Sequence, residues 1–331
     1  TIPAAAISRR IGLRGMLFIA LTGGALAMLL RASSVSEATL TATAFLHGLF
    51  LAFWAVSDSP VIAGLTMERN RQFAFGLVSA TAISLGVISS LVGGQLPGLL
   101  RSLVHSLGPV EAHRWSLMVS AGLILFAAIP LRPVRFPRIA ASETRLYPRG
   151  RFLPCFLLAL AVWGAATGGF NPFFNAFFSQ RLRMSTEGIG TVSAFSHLFQ
   201  AVVILLSPLV LKRLGAVKGI AWMQLATALA LAAVAASPAS GAAATAYVAY
   251  MSFQYMSEPG IFSMLMNRVN PGERSGASAL YFLVSSLVGS AAALASGAAI
   301  ARFGYPPVLL VCATVAALSA VMFRALIRDT A

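Results

Sequence analysis

The sequence predicts an all-α polytopic membrane protein with ten transmembrane helices in two related halves. Three observations carry that reading: an apolar composition, a regular series of long apolar runs, and a near-repetition about 200 residues apart. The chain has 331 residues, of which 58% are hydrophobic and 10% charged, with a mean hydropathy of +0.83. A soluble domain carries about 25% charged residues, so most of this surface faces lipid or other membrane helices.

A membrane-crossing helix needs about 20 apolar residues. Ten runs qualify, at 15–31, 39–66, 73–97, 114–131, 152–177, 187–210, 217–236, 242–267, 276–300 and 306–324. The second is long enough to be tilted or broken near Pro60. Glycine and proline inside the runs do not demote them, because neighbouring helices satisfy the freed backbone groups. Thr1 opens an apolar tail, Ile2 to Ile7, that runs into Arg9-Arg10. This start reads as a fragment.

Orientation follows from the cations in short loops. Of the 24 Lys and Arg, 18 fall on the side that holds Arg9, Arg10 and Arg14, and 6 on the other. The predicted location is the cell membrane, with both ends of the fragment cytoplasmic. The stretch 132–151 is basic and proline-containing, as suits a cytoplasmic linker. It divides the chain into 1–131 and 152–331, with four spans before it and six after.

The net charge of +15 does not mark a nucleic-acid binder, because the cations are scattered in short clusters between apolar runs. Cys155 and Cys312 are too few and too far apart for a disulfide or metal framework. There is no nucleophile elbow, paired metal-binding histidines or Walker loop. The reading is a non-enzyme without cofactor or metal. With no ATP-binding motif, active transport has to draw on an ion gradient.

The halves repeat in detail. Ser57-Asp58-Ser59-Pro60 corresponds to Ser257-Glu258-Pro259. Arg9-Arg10-Ile11-Gly12 corresponds to Lys212-Arg213-Leu214-Gly215, 48 residues before Asp58 and 45 before Glu258 when counted from Arg10 and Arg213. Such repeats are typical of transporters with a site at the repeat interface. About 60 residues precede the second basic turn within its half, against nine before the first. One helix and most of another are therefore expected upstream of Thr1.

With its basic turns, central linker and repeated halves, the chain resembles the major facilitator superfamily. The Arg-x-Gly core of the family turn is present at Arg10/Gly12 and Arg213/Gly215, whereas Arg9 and Lys212 stand where the family carries an acid. Glu68-Arg69-Asn70-Arg71 and Gly272-Glu273-Arg274 resemble the charged turns after the fourth and tenth family helices. The resemblance implies two six-helix halves, the first lacking helix 1 and most of helix 2, a monomer, and a cavity lined by helices 1, 4, 7 and 10. It also implies a gating role for Arg10, Gly12, Arg213 and Gly215.

In the run 39–66, helix 4 of the family, His47, Leu51, Trp54 and Asp58 share one face; in the run 242–267, helix 10 of the family, Tyr247, Met251, Gln254 and Glu258 match them. Intramembrane carboxylates are functional candidates by default. Asp58 and Glu258 are read as proton-coupling groups, against the alternative that each bonds proline-freed backbone or pairs with Arg71 or Arg274. The run 152–177, helix 7 of the family, carries Gly164, Gly168, Asn171 and Asn175, with Pro172 interrupting its hydrogen bonds. Asn171 and Asn175 are candidate solute contacts there, as are His197 and Gln200 in the run 187–210, helix 8 of the family. Small-residue runs such as Gly289 to Gly297 read as close packing.

The function predicted is secondary active transport of a small solute by alternating access, with proton coupling as one form. The alternative is a membrane assembly factor or sensor of transporter shape. Two acids in the cavity favour neutral or cationic solutes. The expected partners are that solute, protons and the lipid bilayer.

Overall fold

The computed structural model describes residues 2–134, 136 and 147–327; most of the 132–151 linker lies outside the described residues. Each apolar run is helical over most of its length, that at 114–131 only as far as Phe126, and no strand occurs among the described residues. The elements are α1 (Ile2–Ser33), α2 (Glu37–Leu65), α3 (Glu68–Leu103), α4 (Pro109–Phe126), α5 (Phe152–Gly168), the short α6 (Phe174–Ala176), α7 (Thr186–Leu214), α8 (Ala216–Ala236), α9 (Ser240–Asn267), α10 (Arg274–Phe303) and α11 (Tyr305–Leu326).

Eight stretches among the described residues are long and apolar enough to cross a membrane, rather than ten. The two that fall short are α4 and α9. The first is only 18 residues long and carries Glu111, His113 and Arg114, and the second interrupts its apolar run with Gln254, Glu258 and several serines. The start of α4 lies five residues before the expected span. There Pro109 occupies the first turn, and the Glu111 carboxylate accepts the Gly108 N–H at 3.0 Å, closing the helix start. No break occurs at Pro60 or Pro259: α2 and α9 are continuous through both.

Three turns share one backbone geometry. Gly12 kinks α1 at φ 72° and ψ 167°, so that helix is two helices joined at one residue. Gly215 joins α7 to α8 at φ 82° and ψ 157°, and Gly304 joins α10 to α11 at φ 78° and ψ 178°. Only glycine enters this region without strain of about 1–3 kcal/mol. The Arg-x-Gly pattern is thus a device for ending one helix and starting the next within a single residue.

The chain divides into two compact units. Unit 1 contains Thr1–Leu65, Leu85–Tyr147 and Asn270–Ala279; unit 2 contains Thr66–Ser84, Pro148–Val269 and Leu280–Ala331. In unit 1, α1 packs on α2 and α4. Gly23 makes the α1–α2 approach possible, since a Cβ there would lie 2.2 Å from the Phe50 ring. In unit 2, α8 packs on α9 and α11, α7 on α9, and α5 on α11.

Candidate functional site

The helix that begins with α5 breaks where the sequence carries Gly168-Gly169-Phe170-Asn171-Pro172. The α-helix stops at Gly168, a 3-10 turn spans Asn171–Phe173, and a π-turn follows at Phe177–Arg181. Gly164 and Gly168 line the side that meets α10: a Cβ on Gly168 would stand 2.5 Å from the Gly289 Cα, and one on Gly164 would stand 3.6 Å from the Ser285 carbonyl oxygen. Gly168 therefore serves close packing, whereas a Cβ on Gly164 would make only ordinary van der Waals contact. A polar network forms just beyond them. The Tyr250 hydroxyl donates to Asn171 Oδ1 at 2.7 Å, and Asn171 Nδ2 donates to Gln254 Oε1 at 3.4 Å. This ties the broken segment to α9.

Aromatic rings enclose the network. Phe170 meets Tyr250 edge-on at 5.6 Å, Phe174 stacks on Tyr247 at 5.0 Å, and Phe178 meets Tyr247 at 5.5 Å. Tyr305, at the start of α11, donates to Gln180 Oε1 at 3.0 Å and holds the π-turn. Tyr247 is 2% exposed, Tyr250 1% and Gln254 6%. Tyr247, Gln254 and Glu258 do share a face, and the upper part of that face is packed inside unit 2. Asn175 is exposed. No local sequence pattern points to the hydroxyls of Tyr250 and Tyr305; they matter because of partners 79 and 125 residues away.

The two carboxylates sit in matched settings. Ser57 donates to the Phe53 carbonyl at 2.8 Å, immediately before Asp58; Ser257 donates to the Gln254 carbonyl at 2.7 Å, immediately before Glu258. Both acids are half-buried. Tyr255 and Tyr281 lie within electrostatic range of Glu258. Neither carboxylate has a hydrogen bond or ion pair to another described residue. Arg71 donates instead to Asn267 Oδ1 and to the Thr66 carbonyl, and Arg274 donates to the Ala63 carbonyl at 3.4 Å.

The histidines differ. His47 is half-buried, with Nδ1 3.4 Å from the Gly24 carbonyl oxygen of α1. Trp54, on the same helix, is 38% exposed. His197 is exposed on α7, whereas Gln200 is buried and donates to Ser196 Oγ at 2.8 Å.

The charged turns make the long-range contacts. In unit 2 the first residues of α3 lie against α7 and α9: Phe75 stacks on Phe262 at 5.7 Å, and a Cβ on Gly76 would stand 3.2 Å from the Ile204 carbonyl oxygen. In unit 1 the first residues of α10 lie against α1 and α2. Arg9 donates to the Gly272 carbonyl at 3.3 Å, Ser278 donates to the Ala55 carbonyl at 3.2 Å, and Ala279 joins Ala4, Ala5, Met16 and Val56 in a small core. Arg10 and Arg213 are exposed, while Gly12 and Gly215 form the turns described above. The third turn, Arg302-Phe303-Gly304, has the same spacing and was readable by the same pattern.

The sequence profile of the Major Facilitator Superfamily matches residues 1–293. The chain belongs to the major facilitator superfamily. No protein of curated function matches the sequence. Among solved structures, the human organic anion transporter MFSD10 aligns at a TM-score of 0.79 and 16% identity, covering 97% of this chain and 79% of MFSD10. The E. coli fucose:proton symporter FucP aligns at 0.78 and 16%, covering 99% and 87%. A bacterial homologue of the iron transporter ferroportin, in an outward-facing state, aligns at 0.61 and 16%, covering 97% and 83%. At these identities the likeness is one of fold. This superfamily member is a multi-pass membrane protein of transporter architecture.

Proposed function

We propose that this superfamily member carries a small solute across the cell membrane by alternating access, and that Asp58 and Glu258 take up and release the coupling proton. The matched serine–acid–proline sites on α2 and α9 support this most directly. An unpaired carboxylate inside a membrane protein is costly to keep charged, so its protonation state can be tied to solute and conformation. The fucose:proton symporter shows that the fold accommodates proton coupling.

In this reading the chain has ten spans in two halves, 1–131 and 152–331, with 132–151 and both ends cytoplasmic. The Tyr250–Asn171–Gln254 network, with Tyr247 beside it, holds the helix break in shape. Asn175, Trp54 and His197 are the accessible solute contacts; His47 and Gln200 brace the helices that carry them. The first turns of α3 and α10, with the Arg10/Gly12 and Arg213/Gly215 turns beside them, act as the cytoplasmic gate. Their contacts through Arg71, Phe75, Arg274 and Ser278 hold that gate closed.

The test is accumulation in proteoliposomes under an imposed proton gradient, with tetraphenylphosphonium, ethidium and a hexose as probes. Asp58→Asn or Glu258→Gln is expected to abolish gradient-driven accumulation of the transported probe while leaving a folded protein. Normal accumulation by both variants refutes the coupling role. Absence of flux for every solute class, in a protein shown to be folded, favours the sensor or assembly role.

A further inference from the structure

We infer that the end of unit 2 built from the start of α5 and the ends of α9 and α11 binds the headgroup of an anionic phospholipid. A cavity of about 450 Å3 opens there, lined by Arg151, Phe152 and Cys155 at the start of α5, Arg268 just after α9, and Ala325, Leu326 and Ile327 at the end of α11. Among the described residues, its lining contains two arginines and no acid. The Arg268 guanidinium lies 5.0 Å over the Phe152 ring, which orders it beside the opening. Glu68 shares a neighbouring cavity with Arg268.

The backbone adds to the attraction for an anion. Arg151 is the N-cap of α5, and no side chain caps that helix start. The first N–H groups of a helix have no acceptor of their own, and they carry the positive end of its dipole. Pro154 removes one of the four, and Phe152 lies in the cavity wall. Arginine forks and helix-start amides together match the oxygens of a phosphate.

The surroundings favour a lipid over a free phosphate. Leu326 is exposed at the cavity edge. Just before it in the chain, Arg324 enters a second groove with Lys218, Trp222 and Leu225 along α8 and α11. Trp222 is exposed between two cations, as tryptophan commonly is at a membrane interface. The loop-charge bias places this end of the helices in the cytoplasmic leaflet, where anionic lipids meet basic pockets between helices. A phosphate diester satisfies the arginines, and its acyl chains cover the apolar rim; inorganic phosphate does only the first.

The test is native mass spectrometry of the purified full chain titrated with phosphatidylglycerol, phosphatidylcholine or inorganic phosphate. Phosphatidylglycerol is expected to bind at least about tenfold more tightly than phosphatidylcholine. Arg151→Gln and Arg268→Gln should each weaken it about fivefold, and the pair about 25-fold. Arg151→Lys with Arg268→Lys should keep most of the preference, and Arg101→Gln at the end of α3 should leave it unchanged. If the double Gln variant does not fold, the single Arg151→Gln variant carries the test. Equal binding of the two lipids, an unaltered preference in the Gln variants, or displacement of the lipid by millimolar inorganic phosphate overturns the proposal.

Discussion

At the residue scale, glycines and one tyrosine make the most exposed predictions. Gly168→Ala sets a Cβ against the backbone of α10, where no flexible side chain can yield. It is expected to cost about 1–3 kcal/mol in thermal unfolding, while Gly190→Ala, in open space on α7, should not lower stability. Gly12→Ala meets no neighbour within 4 Å, yet it forces a side chain into a glycine-only conformation. Its expected cost is again about 1–3 kcal/mol, from strain rather than crowding. Tyr250→Phe removes the donor to Asn171 Oδ1 in a buried setting and should destabilise by about 1–3 kcal/mol. A double-mutant cycle with Asn171→Ala should show coupling; additivity of the two losses would contradict the network.

At the element scale, a good deal was legible in the sequence, and the failures have definite causes. Helix existence followed from apolar run length, so each of the ten runs is helical over most of its length. The break at Asn171-Pro172 was visible because glycine and proline act locally. Helical periodicity also placed Tyr247, Gln254 and Glu258 on one face. It could not say what that face meets, because this depends on α5 stopping at Gly168 and on Asn171 bonding to Tyr250 and Gln254 of α9. Pro60 looked like a break, but a proline costs a helix only one hydrogen bond and a local clash, and α2 absorbs both without interruption. The charged turns were found by resemblance. Their partners, such as Asn267 for Arg71 and Gly272 for Arg9, lie 196 and 263 residues away and leave no local signal. Arg71→Ala should therefore loosen the first turn of α3 selectively. Faster amide exchange over 68–75, with α8 and α11 unchanged, is the expected result, and uniform exchange across the chain would contradict it.

At the scale of the whole molecule, the composition and repeat led to a membrane transporter architecture, and the superfamily profile over residues 1–293 agrees. The two units show a reciprocal pattern: Thr66–Ser84 belongs with the later helices, and Asn270–Ala279 with the earlier ones. These segments begin with corresponding charged turns, and in the proposed transport cycle both must part when the protein turns toward the cytoplasm. Locking one of them should stop transport without unfolding anything. The most direct measurement joins positions 75 and 262, whose rings lie 5.7 Å apart, in a chain carrying Phe75→Cys, Phe262→Cys, Cys155→Ser and Cys312→Ala. A reversible bis-thiol cross-link should abolish solute flux in proteoliposomes, and reduction should restore it. Undiminished flux through the cross-linked protein would contradict alternating access at this gate.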